Sequence, residues 1–256
     1  MGALVEGPIE VEVERITLRG EGGEPVDAIH ARPLGLPTRG LVLHPDIMGI
    51  RPLFDDLCRR LATHGIAVCA PEPFNHIDGY EHLEVADRMS RARDLEDSVQ
   101  IENLERAADW LVVHDDVSEV AILGFCMGGM YALKAAGTGR FDRAIAFYGM
   151  VRVPEAWRGP GQGEPLDLAP EPCPTLAIFG SEDAWTPPED IAALRDAWRD
   201  CTDCEVIVYE GADHGFVHDA DRPAHRADDA ADAWSRVLRF LGVAEEDDTV
   251  EDGAVL

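Results

Sequence analysis

The segment that most constrains how this chain can fold is a glycine-rich turn between an apolar run at 120–123 and a helix-like segment at 127–136. The turn, at residues 124–129, has the sequence Gly-Phe-Cys-Met-Gly-Gly. A strand-to-helix turn this sharp requires glycine two residues before and two residues after its central residue, because side chains there would clash with the backbone. The pattern predicts that Cys126 is presented at a helix N-terminus, where the helix dipole favours a thiolate. The backbone N–H of Met127 would then point into the site as an oxyanion donor.

Taken alone, this turn is also compatible with a buried structural cysteine, and residues further along the chain bear on the choice. Asp183 follows a later apolar run and is placed to orient a histidine, with Glu182 or an ordinary loop aspartate as the alternatives. His214 follows the next apolar run and has glycines within a few residues on both sides. The chain order nucleophile, acid, histidine is that of α/β-hydrolases. The order favours a catalytic triad of Cys126, Asp183 and His214.

Strand-like and helix-like segments alternate along the rest of the chain. The predicted strands lie at 9–18, 26–32, 40–45, 66–70, 120–123, 144–148, 175–179 and 205–209, and the predicted helices at 52–64, 94–114, 127–136, 188–199 and 226–241. This alternation predicts an α/β-hydrolase fold, with a mostly parallel central sheet and helices on both faces. The polar stretch 72–93 and the Pro- and Gly-rich stretch 151–173 are expected to be irregular. We expect a single domain over 1–243 and an acidic, disordered tail over 244–256.

The charge of the chain excludes some classes of partner. With 50 Asp and Glu against 22 Lys and Arg, the formal net charge is −28, and such a field repels nucleic acid and anionic membranes. No apolar stretch approaches the roughly 18 residues that span a bilayer, and the N-terminus lacks the features of a signal peptide. A cytoplasmic location is therefore expected. The acidic bias has two interpretations, a codon preference of the genome or adaptation to high salt.

The six cysteines lack the density of a disulfide scaffold, and we expect all of them to be reduced. Cys201 and Cys204 form a CxxC pair without a second pair nearby. A structural zinc site would need two more ligands, so no role is assigned to this spacing.

Three motifs together resemble the dienelactone hydrolase family. They are the Gly-Phe-Cys-Met-Gly-Gly turn, Gly-Ser-Glu-Asp-x-x-x-Pro and Gly-Ala-Asp-His-Gly-Phe, and the similarity extends from about residue 10 to 242. The resemblance implies the triad Cys126, Asp183 and His214, no metal or organic cofactor, and a small-molecule ester or lactone as substrate. Many relatives have serine as the nucleophile, so the cysteine favours the branch of the namesake enzyme.

The resemblance also implies roles for the segment that follows the strand at 40–45. Asp46 stands where the namesake enzymes have a glutamate that pairs with the resting thiol, and it is one methylene shorter. A turn-forming aspartate is the alternative. The N–H of Ile47 is implied as the second oxyanion donor.

Substrate binding is where the chain departs from the family pattern. His218 stands where the namesake enzymes have an arginine for the substrate carboxylate, four residues beyond the catalytic histidine. A second family arginine falls in the region 80–93, where Arg88, Arg91 and Arg93 are present. Arg88, Arg91 and His218 are therefore candidate substrate-binding residues, and a surface role is the alternative for the arginines.

These observations favour a hydrolase that cleaves an ester or lactone through a Cys-His-Asp triad and an acyl-thioester intermediate. A general carboxylesterase or thioesterase would use the same triad with a different pocket. An alternative of a different class is a non-catalytic or redox-sensing protein on the same fold, with Cys126 oxidised reversibly. The oligomeric state, the pathway and the natural substrate stay open.

Overall fold

The predicted strands and long helices are present in the computed structural model, which describes residues 4–19 and 24–243. The strands are β1 (Val11–Leu18), β2 (Val26–Pro33), β3 (Arg39–His44), β4 (Ile66–Pro71), β5 (Val120–Phe125), β6 (Arg143–Phe147), β7 (Thr175–Gly180) and β8 (Cys204–Tyr209). The α-helices are α1 (Pro52–Ala62), α2 (Val85–Arg91), α3 (Asp97–Asp115), α4 (Met127–Ala135), α5 (Pro165–Leu168), α6 (Pro188–Ala197) and α7 (Ala227–Phe240). Short 3₁₀ helices lie at Tyr80–His82, Ala92–Asp94 and Glu155–Trp157.

The eight strands form one sheet in the order β1-β2-β4-β3-β5-β6-β7-β8. The β1–β2 and β2–β4 pairs are antiparallel, and every pair from β4 to β8 is parallel. This confirms the predicted mostly parallel sheet, and β1 and β2 form an antiparallel hairpin at its N-terminal edge. Because the parallel strands end at the same edge, the loops that follow β3, β5, β6, β7 and β8 can meet there.

The core is centred on strands β4, β5 and β7. All residues of these three strands are buried, as expected of parallel strands covered by helices on both faces. Helix α7 contributes Ala230, Ala233, Trp234 and Val237, which recur at helical spacing and are all buried. The edge strand β1 is mostly exposed, which agrees with its alternating sequence.

Two stretches that the sequence predicts to be irregular contain short helices. The stretch 72–93 contains α2, and the stretch 151–173 contains α5. Both helices are two turns or shorter, so their apolar residues do not recur often enough to give a periodic signal.

The prediction that all six cysteines are reduced is wrong for one pair. Cys201 and Cys204 form a disulfide, because the tight turn between α6 and β8 brings their Cα atoms to 5.4 Å. Cys58, Cys69 and Cys126 are free and buried, and Cys173 is free and half-buried. The acidic tail predicted over 244–256 lies outside the described residues. Over the described ranges, no helix combines the length and the apolar character needed to cross a membrane.

Candidate active site

The backbone at Cys126 adopts an unusual conformation, with φ 56° and ψ −116°. A non-glycine residue with positive φ is strained and persists only where the surrounding structure holds it. Two hydrogen bonds do so here, from the N–H of Cys126 to the carbonyl of Phe147 (3.0 Å) and from the N–H of Met130 to the carbonyl of Cys126 (3.0 Å). Cys126 is 9% exposed and lines the cavity described below.

The two glycines that bracket Cys126 are required by close backbone contacts. A Cβ atom at Gly124 would lie 1.9 Å from the carbonyl oxygen of Gly128, and one at Gly128 would lie 2.2 Å from the carbonyl oxygen of His44. Both separations are far below any van der Waals contact. The contact with His44 places the turn directly against the end of β3, and so brings the loop that contains Ile47 beside the nucleophile.

Asp183 and His214 meet above the end of the sheet. Asp183 lies just after β7 and is 3% exposed, and its Oδ2 accepts a hydrogen bond from Nδ1 of His214 at 2.8 Å. Its Oδ1 accepts a hydrogen bond from the N–H of Trp185 at 2.8 Å. Glu182, the alternative acid, is exposed. The contact with Nδ1 leaves Nε2 of His214 buried, without a hydrogen-bond partner among the described residues.

The surroundings of His214 favour its protonated form. Burial acts to lower the pKa of the imidazole, but the hydrogen bond to Asp183 and the neighbouring sulfur of Cys126 outweigh burial and raise the pKa to about 10. A histidine in this setting can take a proton at neutral pH and hold it. At neutral pH such a histidine already carries its proton, so the arrangement suits an acid that gives this proton to a leaving oxygen and acts as a base afterwards.

Two backbone N–H groups are available beside the nucleophile. Met127 is the first residue of α4, and the N–H groups of the first helical turn have no intrahelical acceptor. Ile47 lies in the loop after β3, lines the same cavity as Cys126, and is 9% exposed. Neither N–H donates a backbone hydrogen bond within the described part of the chain. Both are thus free to donate to an oxygen that develops negative charge near the sulfur.

The nucleophile and the histidine open into one cavity of about 340 Å³. Apolar side chains from the loop after β3, from α2 and from the loops after β6 and β7 form most of its wall. The cavity is lined by Asp46, Ile47, Met48, Arg51, Val85, Met89, Cys126, Trp157, Trp185, His214, Asp219 and Arg222. Its volume is that of a small organic molecule. No group of three histidine, cysteine or carboxylate residues within 4–19 and 24–243 could hold a metal ion.

Asp46 reaches this cavity, but its carboxylate is bound to other groups. Arg51 donates to both oxygens, at 2.7 and 2.8 Å, and Nε2 of His218 donates to Oδ2 at 2.9 Å. The N–H of Met48 donates to Oδ1 at 2.9 Å. Despite burial, the hydrogen bonds from His218 and Arg51 hold the pKa of Asp46 well below its usual range. The expected pairing of Asp46 with the thiol of Cys126 stays a prediction.

The three candidate substrate-binding residues do not line this cavity. Arg88 is buried, contacts Glu72 at 3.0 Å and lines a separate cavity. Arg91 is exposed and pairs with Asp94 at 2.8 Å. His218 is buried behind Asp46. The structure therefore does not bring these side chains to the nucleophile, and a role for them in binding rests on sequence alone.

The structure instead brings two other arginines to the cavity, Arg51 and Arg222. Arg51 is held by Asp46, whereas Arg222 forms no ion pair with any described carboxylate. The sequence predicted neither arginine, because neither belongs to one of the three motifs. The position of Arg222, eight residues beyond His214 on the same loop, is the one signal that could have pointed to it.

The chain is similar to known proteins over most of its length. The sequence profile of the dienelactone hydrolase family matches residues 26–244. The chain belongs to the dienelactone hydrolase family. A provisionally named carboxymethylenebutenolidase of Escherichia coli (strain K12) is 31% identical, over 93% of this chain and 90% of its own. The carboxymethylenebutenolidase of Rhodococcus opacus is 28% identical, over 87% and 88%.

The solved structures confirm the predicted fold. A provisionally named dienelactone hydrolase from Klebsiella pneumoniae superposes with a TM-score of 0.83 and 27% identity, over 91% of this chain and 99% of its own. The α/β-hydrolase fold is therefore shown over nearly the whole chain. This member of the dienelactone hydrolase family is a carboxylic ester hydrolase.

Proposed function

We propose that this dienelactone hydrolase family member cleaves an ester or lactone through Cys126, His214 and Asp183, by way of an acyl-thioester. One observation carries the proposal. Asp183 binds Nδ1 of His214 at 2.8 Å, so that the unpartnered Nε2 is left for the cavity that Cys126 also lines. That arrangement of nucleophile, base and orienting acid is what nucleophilic catalysis requires.

Acylation follows from the groups at the cavity. With the thiol proton held on Nε2 of His214, the sulfur of Cys126 attacks the carbonyl carbon while the carbonyl electrons move to oxygen. The N–H groups of Met127 and Ile47 donate to that oxygen, and one such donor contributes about 3–4 kcal/mol in related mechanisms. The carbonyl re-forms, the C–O bond breaks, and the leaving oxygen takes the proton from His214. The product is an alcohol, or in a lactone a hydroxyl on the same molecule.

Deacylation repeats these steps with water. Water gives a proton to Nε2 of His214 and attacks the thioester carbonyl, and the same two N–H groups hold the oxyanion. The C–S bond then breaks, the sulfur recovers its proton from His214, and the carboxylic acid leaves. Asp183 accepts the hydrogen bond from Nδ1 throughout and so stabilises the imidazolium.

The wall of the cavity favours a substrate that carries a carboxylate. Arg222 lines the cavity without a carboxylate partner of its own, in a chain where acidic residues outnumber basic ones more than twofold. A substrate carboxylate would give Arg222 the ion-pair partner that it lacks. We therefore propose a small lactone or ester acid of the kind the relatives' names describe. A general carboxylesterase or thioesterase for neutral substrates is the second candidate, favoured by the apolar majority of the wall.

Mass spectrometry of the protein quenched during turnover of an activated aryl ester tests the nucleophile. We expect an acyl group on the peptide that contains Cys126, and a loss of kcat on the order of 10⁵-fold or more in Cys126→Ala. Cys173→Ser is the matched control, since Cys173 is free and does not line the cavity, and it should retain wild-type turnover. Full turnover by Cys126→Ala on every hydrolysed ester would refute the assignment.

A pair of esters that differ only in a carboxylate separates the two candidate substrates. Arg222→Gln should raise KM for the acidic ester about 10- to 100-fold, because a charge-assisted hydrogen bond is lost, and leave the neutral ester unchanged. Arg195→Gln is the control, since Arg195 is exposed on α6 and does not line the cavity. Equal kinetics of Arg222→Gln on both esters would favour the general esterase.

A further inference from the structure

Four side chains, two in the cavity wall and two behind it, form a continuous hydrogen-bonded network that the proposed steps do not use. The hydroxyl of Tyr148 donates to Nδ1 of His218, whose Nε2 donates to Oδ2 of Asp46 at 2.9 Å. Arg51 donates to both oxygens of Asp46. An ionised carboxylate can only accept, so Nε2 carries the proton of the neutral histidine and Nδ1 is the acceptor. The hydrogen bonds from Tyr148 to His218 and from His218 to Asp46 therefore each have one defined direction.

The network is shielded from water. Asp46, His218 and Tyr148 are 3%, 1% and 0% exposed. The rings of Phe125 and Phe54 stack on His218, with centroids 4.7 and 6.0 Å away. In such surroundings an unmade hydrogen bond is costly, so a fully paired network holds its members in one geometry.

One end of the network determines where the N–H of Ile47 points. The Asp46 side chain accepts from the N–H of Met48 (2.9 Å), and its main-chain carbonyl accepts from the N–H of Gly49 (2.9 Å). These two hydrogen bonds form a tight turn around Ile47. Because the carboxylate of Asp46 is itself fixed by His218, the turn cannot rotate without breaking the network.

The other end of the network reaches the catalytic histidine. Tyr148 follows β6 and has φ 39°, a left-handed conformation that needs support. Its ring lies edge-on to the ring of His214, with centroids 5.1 Å apart, while its hydroxyl holds His218. His218 in turn lies four residues beyond His214 on the same loop. The network thus connects the loop of the base with the loop of the oxyanion donor.

We infer that His218 and Tyr148 are positioning residues, which fix the N–H of Ile47 relative to Cys126 and His214 by holding the carboxylate of Asp46. The inference rests on the proposed function, because an oxyanion donor matters only where a carbonyl is attacked. It gives Asp46 a role as anchor of the loop after β3, in place of contact with the thiol. The oxyanion exists only in the transition state, so the network stabilises that state and not the bound ester.

Steady-state kinetics of three variants on an activated aryl ester test the inference. His218→Leu removes the donor to Asp46 and should lower kcat about 100-fold with KM unchanged. His218→Gln places an amide donor where Nε2 stood and should recover kcat at least about tenfold over His218→Leu. Tyr148→Phe keeps the ring and loses only the hydroxyl, so its fall in kcat should be smaller and again without a change in KM.

His30→Leu is the matched control. His30 is buried, and its Nε2 donates to Oδ2 of the buried Asp115 at 2.9 Å. This contact matches the one from Nε2 of His218 to Oδ2 of Asp46 in atoms and distance. His30 lies on β2 and does not line the cavity. The His30→Leu variant shows how the loss of such a buried contact affects the protein in general. The kcat of this variant should equal that of the wild type.

Alkylation of Cys126 by iodoacetamide, followed against pH, separates positioning from an effect on the thiol. The profile should be the same in wild type and His218→Leu, and a shifted profile would place Asp46 on the thiol and overturn the inference. Wild-type kcat in both His218→Leu and Tyr148→Phe would overturn it as well, as would a rise in KM alone. If His218→Leu does not fold, Tyr148→Phe carries the test. Full turnover in a parallel Cys126→Ala assay is a different failure, that of the proposed function.

Discussion

Burial and hydrogen bonding act in opposite directions on His214. Burial disfavours the charged imidazolium, whereas the contacts with Asp183 and the Cys126 sulfur favour it and raise the pKa to about 10. This pKa determines how turnover depends on pH. Below this pH His214 carries the proton that the leaving oxygen needs, and as pH rises through about 10 that proton is lost. Turnover should therefore fall at alkaline pH.

Asp183→Asn should move this alkaline fall to lower pH, because the hydrogen bond that favours the imidazolium becomes weaker. In the serine-protease triad the corresponding change lowers kcat about 10⁴-fold, and we expect a loss of similar order. Profiles of kcat/KM from pH 6 to 11 measure both effects. Glu182→Gln, which changes the exposed neighbour, should keep the wild-type profile. An alkaline limb that stays in place in Asp183→Asn would contradict the role of Asp183.

Individual residues differ in how far the sequence could predict them. Asp183 and His214 were predicted because each follows a strand directly, and the fold determines the order of those strands along the chain. The pairing itself is seen at 2.8 Å. The contact of Asp46 with His218 could not be predicted, since His218 is 172 residues away and its orientation depends on the packing of Phe125. Contacts between distant loops leave no local pattern.

Among the elements, the turn between β5 and α4 depends most strictly on its sequence. It brings two backbone segments so close that Gly124 has no room for a methyl group, because a Cβ atom would meet the carbonyl of Gly128. Both groups are main chain, so neither can move without displacing the strand or the helix. The geometry that presents Cys126 to the cavity is therefore inseparable from the stability of the central sheet.

Gly124→Ala should lower the free energy of unfolding by about 3 kcal/mol or more, since the added methyl overlaps backbone atoms in a packed core. Urea denaturation measures this change. Gly35→Ala is the control, because a Cβ atom there meets nothing within 4 Å, and its effect should stay within about 0.5 kcal/mol. A stable and active Gly124→Ala protein would show that the turn can relax.

The remaining elements show which kinds of strand and helix a sequence pattern can predict. Strands β4, β5 and β7 are continuous apolar runs, and α7 buries one regular stripe, so both kinds of element were predicted. Helix α2 was missed although Val85 and Met89 face the cavity, because two apolar residues in a polar stretch do not establish a period. The Cys201–Cys204 disulfide was missed because its formation depends on the turn between two elements.

For the whole molecule, the dominant electrostatic fact is an excess of carboxylates. With 50 acidic and 22 basic residues, fewer than half of the carboxylates can have a cation of their own. Most ion pairs join exposed or half-exposed groups such as Arg15 and Asp55, and pairs of this kind contribute little. The net effect of surface charge on the folded state should therefore be repulsive, and the unfolded chain relieves it by expanding.

Added salt should therefore stabilise the protein. The Debye length falls from about 30 Å at 0.01 M to about 3 Å at 1 M, which screens repulsion across the surface while close pairs lose less. We expect the urea midpoint to rise with NaCl, with sucrose at equal osmolality as the control for solute exclusion. A urea midpoint that stops rising by a few tenths molar NaCl would reflect screening alone and fit a codon bias. A midpoint that continues to rise up to multimolar NaCl would indicate adaptation to a saline environment. A midpoint that does not rise at all would contradict the repulsive balance, because it would mean that the arginine pairs offset the surplus carboxylates.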